Sequence, residues 1–322
     1  MSYEIRTLPP GEKITEPGFY NIPIDVHHSQ CCDGVSVTSG VLRRMKLEYP
    51  ADVWAFHELN PDRWERRETD ALRLGRAMAA YIEGGSEEVE ANFYVLPDLR
   101  PNRPTAQQLH AIKEGKGSKS AHASLAFWKE ADADPRDHIT ESQFQLIKDM
   151  GKALSRDPMA SALLGGMPEI TMAWKDARTG IWCLSRPDQV SFDGFVGDYK
   201  KISTQGAPFD HDICYRAIRK HRYDMQIAFA NEGFFQLTDN EPQAAGLLFQ
   251  SDLPPHFCIP IEIPEEEIVI GKFHNSQALY RFKECLDAGH WPEPGEQPGY
   301  FHWSDDERNR ILEEMNSAGV AP

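Results

Sequence analysis

The sequence predicts an α/β fold, with a mixed central sheet flanked by helices and a helical N-terminal part. Three observations carry this. Between Glu169 and Lys200 three short apolar runs have strand character: Glu169 to Trp174, Ile181 to Arg186 and Phe195 to Lys200, with a turn at Ala177-Arg178-Thr179-Gly180. Upstream, apolar residues recur at helical intervals in several stretches. A hydrophobic fraction of 40% over 322 residues is enough for a sizeable core.

Taken in order, residues 1–35 are rich in Pro, Gly and His and read as an extended lead-in. Ser36 to Tyr49 opens with Ser and Thr and continues as the amphipathic run Val41 to Leu47, ended by Pro50. A second helix is expected over Ala51 to His57, and a third, with small residues on one side, over Thr69 to Ile82. Asn92 to Leu96 reads as a strand. Residues 105–132 read as helical with a break at Gly115-Lys116-Gly117-Ser118-Lys119. Thr140 and Gln143 have capping-box spacing ahead of a helix running to Leu154. Beyond the central runs, Phe209 to Arg222 and Tyr223 to Ala230 read as helices, and Ala245 to Gln250, His256 to Ile263 and Glu267 to Ile270 as strands. Helices at Ser276 to Ala288 and Asp305 to Met315 close the chain. The division this suggests is 1–155 and 156–322, packed as one unit.

Composition narrows the function classes. No run approaches the roughly 18 apolar residues of a membrane span, and the N-terminus lacks the basic start and apolar middle of a signal peptide, so a cytoplasmic location is expected. The six cysteines are then expected to be reduced, and their spacing gives neither a zinc nor an iron–sulfur pattern. A net charge of −16 disfavours a protein that coats DNA by general electrostatics. It leaves room for a local basic groove, and basic residues do cluster at Arg43-Arg44, Arg63 to Arg67, Arg73 to Arg76 and Arg216 to Arg222.

Chemistry concentrates in the central runs. Glu169, Asp188 and Asp198 stand where apolar strands begin or end, an unfavourable place for charge unless a cation compensates it. Mg²⁺ takes carboxylate and carbonyl oxygens. The strand period of two places Asp198 and Lys200 on one face and turns the Tyr199 side chain to the other. Such a strand presents a metal ligand and a cation to the same phosphate, although a three-stranded meander with solvated charges has the same pattern. Tyr223 and Gln226, three apart on a helix, share a face.

Arg186-Pro187-Asp188 followed by Asp198-Tyr199-Lys200 resembles the PD-(D/E)xK nuclease signature. With Val26-His27-His28, Ser36 to Leu42, Tyr49 to Trp54, Leu74-Gly75-Arg76-Ala77, Thr179-Gly180 and Tyr223 to Ala228 in order, most of the chain resembles the nuclease family that includes the C-terminal domain of RecE (exonuclease VIII) and its phage and prophage relatives. The resemblance implies a restriction-endonuclease-like fold and Mg²⁺ or Mn²⁺ as cofactor. It implies that Asp188, Asp198 and the Tyr199 carbonyl are metal ligands, Lys200 stands by the attacked phosphate, Glu169 is an accessory metal-binding carboxylate, and Gln226 and Tyr223 shape the site. One departure stands out: where relatives read Gly-x-Ala-x-His-Ala, this chain has Gly75 to Ala80 with Ala79 in place of the histidine. Two functions are expected from different classes. One is an exonuclease resecting double-stranded DNA ends for recombination, as a homo-oligomer or with a single-strand annealing protein. The other is a catalytically degenerate module that binds DNA or protein. A nuclease for RNA or single strands would share the first one's chemistry.

Overall fold

The computed structural model describes residues 3–319 except 66, 67, 192, 193, 205 and 297; Arg66 and Arg67 of the second basic cluster therefore lie outside the described residues. The lead-in is more structured than expected. It holds strands β1 (Ile5–Thr7) and β2 (Gly18–Asn21) and a short helix α1 (Ile24–His28). Next come β3 (Ser36–Thr38), α2 (Ser39–Leu47) and α3 (Pro50–Trp54), the last started by a proline whose missing N–H costs a helix nothing there.

Helix α4 (Asp70–Asn92) is capped by Thr69, whose side chain accepts from the Leu72 N–H. It is broken at Gly85, where φ is 69° and ψ −153°, a conformation open to glycine alone. The strands β4 (Phe93–Leu96) and β5 (Asp137–Thr140) pair in parallel and flank α5 (Ala106–Lys113) and α6 (Lys119–Ala131), which are separated at the glycine-lysine break. Helix α7 (Glu141–Arg156) begins with a complete capping box between Thr140 and Gln143. The short α8 (Pro158–Leu163) and β6 (Met167–Pro168) lead into the central runs.

There the structure corrects the meander. The first two runs form an antiparallel pair, β7 (Thr171–Lys175) and β8 (Trp182–Ser185), whereas the third, β10 (Phe195–Ile202), belongs to a different sheet. Arg186-Pro187-Asp188 ends β8, with a proline that cannot donate to a ladder, and the chain re-forms as β9 (Gln189–Val190), which pairs with β10. After α9 (His211–His221) and α10 (Tyr223–Thr238) come β11 (Ala244–Ser251) and β12 (Cys258–Glu262). The expected strand at Glu267 to Ile270 is instead the start of α11 (Glu265–Ala288). Three glutamates follow Pro264 in its first turn, and Ile268, Gly271, Asn275, Ala278 and Phe282 are buried at helical intervals, so burial periodicity overrides the β-branched residues. Helix α12 (Asp305–Ser317) ends the chain.

Among the described residues two five-stranded mixed sheets result, in the orders β1-β2-β7-β8-β3 and β12-β11-β10-β9-β6. In the second, β10 and β11 run parallel over eight residues, joined through α9 and α10. The largest core lies between the sheets and α2, α10 and α11. It takes Phe19, Val37, Leu42, Met45 and Val53 from the first part of the chain and Trp174, Phe229 and Phe282 from the rest.

Candidate active site

Two of the chain's passages between the sheets are direct, from β6 to β7 and from β8 to β9, and two of the three predicted acids stand at these crossings. Glu169 lies between β6 of the second sheet and β7 of the first, and Asp188 between β8 of the first and β9 of the second. The crossings touch, because the Glu169 N–H donates to the Asp188 carbonyl at 3.4 Å. Glu169 is held there at φ 56°, a left-handed conformation that a non-glycine residue adopts at a cost of order 1 kcal/mol. Asp198 is the fourth residue of β10, inside the strand rather than at its mouth, and it is buried.

These pieces converge. The Tyr199 N–H donates to Asp188 Oδ2 at 2.7 Å, and the Asp188 N–H to Asp198 Oδ1 at 3.3 Å. Lys200 Nζ contacts Asp198 Oδ2, as the strand period requires. The Tyr199 side chain points away, its hydroxyl donating to Gln250 Oε1 at 2.6 Å on the other face of the sheet. From α10, Gln226 Nε2 donates to Asp198 Oδ2 at 3.0 Å, and the Tyr223 ring lies 5.0 Å from Lys200 Nζ. Tyr223 reaches this place because Arg222, at φ 52°, turns the chain sharply out of α9 and makes Tyr223 the first residue of α10. Glu169 is brought close but turned aside, its carboxylate held by Arg186 at 2.6 and 3.1 Å.

Electrostatics follow from this crowding. Burial pushes the Asp188 carboxyl above the usual carboxylate range, opposed by the Lys200 ammonium. Burial also brings Lys200 down to about 8, with Asp188 opposing and Arg43 adding to the shift. The donor set suits a hard divalent cation. Two carboxylates and the Tyr199 backbone are at hand, and Gln226 Oε1 is buried without a hydrogen-bond partner, an oxygen left free to ligate. Among the described residues no three His, Cys, Asp or Glu side chains group as ligands, so neutral oxygens and water would complete such a shell.

A cleft of about 740 Å³ opens onto Lys200, Tyr223 and Gln226 and is walled by His28, Arg43 and Phe56, among others. Sequence reasoning had no means of assigning roles to Arg186, Arg43 or Glu83. Glu83 is one helical turn beyond Ala79 on α4. Burial raises its carboxyl, with Glu169 adding to the shift, which puts this acid within electrostatic reach of the first crossing. Only the i, i+4 relation to Ala79 could have pointed to it.

A two-sheet α/β core with Asp188, Asp198 and Lys200 at its seam defines a PDDEXK-type nuclease fold. Residues 52–302 match the PDDEXK-like domain of unknown function (DUF3799), and the chain belongs to that family. No curated protein is similar in sequence. The crystal structure of a "Putative exonuclease" from Eubacterium rectale shares the fold, with a TM-score of 0.59 at 12% identity over 91% of this chain and 98% of that one. A phage related exonuclease from Haemophilus somnus 129PT aligns with a TM-score of 0.30 at 13% identity over 66% and 94% of the two chains. No helix among the described residues is long and apolar enough to cross a membrane.

Proposed function

We propose that this protein is a divalent-cation-dependent DNA phosphodiesterase that works from double-stranded ends as an exonuclease. The observation that supports it most directly is the convergence of Asp188, Asp198, Lys200 and Gln226, the last two of which line an open cleft, in a chain of PDDEXK-like family. A bound Mg²⁺ or Mn²⁺ would acidify water and offset charge on the phosphate. Asp188 and Asp198 would hold the cation, with the Tyr199 carbonyl and Gln226 Oε1 completing the set. Lys200, preorganised by burial against Asp198 and the Tyr223 ring, would donate to the phosphate oxygen on which charge develops. Tyr223 excludes water from that ammonium, and Gln226 fixes the Asp198 carboxylate. Glu169, held by Arg186, acts as an accessory carboxylate at the seam.

The test is an end-labelled linear duplex and a closed circular duplex incubated with Mn²⁺. Labelled nucleotide should be released from the linear molecule while the circle stays intact. Lys200→Ala should lower kcat about 10²- to 10³-fold. Cutting of the circle would overturn the end requirement, and an inert wild-type protein would overturn the nuclease reading. Ala79 favours a second reading, a degenerate module that binds DNA or protein without cutting. Calorimetric titration with Mn²⁺ separates the two, since binding abolished by Asp188→Asn and Asp198→Asn belongs to a competent site.

A further inference from the structure

We propose that Arg43 is a second phosphate-binding residue of the cleft, engaging a backbone phosphate of the bound strand other than the one at Lys200. The inference rests on the nuclease reading and adds a contact that sets how the strand lies. Arg43 projects from α2, and its guanidinium lies 5.6 Å from the centre of the same Tyr223 ring that carries Lys200 Nζ at 5.0 Å. Two cations on one half-buried ring repel each other, and burial acts against the charge on Arg43.

Lys200 has the Asp198 carboxylate against it, but no acid among the described residues does the same for Arg43. Among the described residues Arg43 forms no ion pair; one Nη donates to the His221 carbonyl at 3.1 Å, and Nε is buried with no hydrogen-bond partner. The acid that acts on it from a distance, Asp224, is already taken by Arg222 at 3.0 and 2.7 Å. The adjacent Arg44 shows what a structural arginine looks like here. It is tied to Glu48 at 2.6 Å and to the Asp52 carbonyl at 2.7 Å. A buried guanidinium N–H without an acceptor is costly. A phosphate of the bound strand beyond the one at Lys200 would accept from the Arg43 guanidinium and offset its charge, since a DNA strand held by Lys200 at one phosphate brings others within reach.

The experiment measures binding of a short fluorescent duplex by anisotropy in EDTA at several salt concentrations, for the wild type, Arg43→Met, Arg43→Lys and Arg44→Met. Methionine keeps the apolar stem over Tyr223 and removes only the charge and the donors. Arg43→Met should weaken binding about tenfold and reduce the slope of log Kd on log salt by about 0.9, the loss of one phosphate contact. Arg43→Lys should keep the slope, and Arg44→Met, whose charge is already paired with Glu48, should change the slope by less than Arg43→Met does. In Mn²⁺, Arg43→Met should raise KM with kcat within about twofold, because uniform binding is lost and not transition-state stabilisation. If Arg43→Met melts early, Arg43→Gln carries the same comparison. Wild-type binding that is indifferent to Arg43→Met in strength and slope overturns this assignment and leaves the nuclease reading standing. A wild type that neither binds nor cuts DNA overturns both.

Discussion

His57 is buried between aromatic rings, and one acceptor bond depends on its being neutral. Its imidazole stacks on Trp54 at 5.9 Å, meets Phe282 at 5.1 Å, and accepts the Leu59 N–H at Nδ1 over 3.2 Å. Burial, reinforced by Arg44 and only partly opposed by Glu58, brings its pKa from 6.5 down to about 4. The folded value lies below the unfolded one, so the neutral-state contribution is complete above pH 6.5 and is lost as the pH falls toward 4, by about 2–3 kcal/mol at pH 4.5. His57→Asn keeps an acceptor near Nδ1 and removes the titration. Urea denaturation at pH 7 and pH 4.5 should show the variant's deficit shrinking by that amount; an unchanged deficit would mean that His57 is not held neutral. At this scale the sequence was legible where chemistry is local. Asp198 and Lys200 share a face by strand period alone, and Tyr199 turns away for the same reason. Arg43 and Glu83 were not legible, because they meet the site from α2 and α4, over 80 residues before it, and no local period encodes that meeting.

Helix α10 carries Tyr223 and Gln226, and α11 sets where it lies. Gly271 of α11 packs so closely that an added Cβ would stand 2.6 Å from Ala228 Cβ and 2.8 Å from the Asp224 carbonyl oxygen, while Asn275 Nδ2 donates to the Met225 carbonyl at 2.8 Å. In an exposed helix Gly→Ala gains about 1 kcal/mol of propensity. Here the clash with backbone outweighs it, since a carbonyl cannot rotate aside as a side chain can, and overpacking of this kind costs about 1–3 kcal/mol. We expect Gly271→Ala to lower Tm by several degrees and to reduce kcat by displacing the first turn of α10; a variant at least as stable as the wild type would show that the two helices can separate freely. The same helix marks the boundary of what periodicity reveals. Its β-branched start, Ile268 to Ile270, reads as a strand in a short window, and only the burial of every third or fourth residue through Phe282 identifies it. Pairing partners are less legible still: three strand-like runs in succession suggest a meander, whereas the Pro187 crossing sends the third to another sheet.

Across the whole molecule the two halves of the sequence share one core. Strand β7 pairs with β2, and β8 with β3, so the first sheet takes strands from both sides of residue 155. Phe19, Val37, Leu42, Met45 and Val53 fill the space against Trp174, Phe229 and Phe282. Burying five such side chains contributes about 7–15 kcal/mol at about 1.5–3 kcal/mol each, which matches the roughly 5–15 kcal/mol by which a whole domain is stable. A fragment of residues 156–322 would keep Asp188, Asp198 and Lys200 in sequence but would expose both edges of the β7–β8 pair and lose that burial. We expect the isolated fragment to bind a hydrophobic dye and to unfold without a cooperative transition, and to show no Mn²⁺-dependent cleavage. Co-expression with residues 1–155 should restore the cooperative melt, because the missing partners are supplied in trans. A sharp calorimetric transition for 156–322 alone would show instead that the seam between the sheets forms without β2 and β3. The N-terminal half would then be an accessory to the site and not part of its frame.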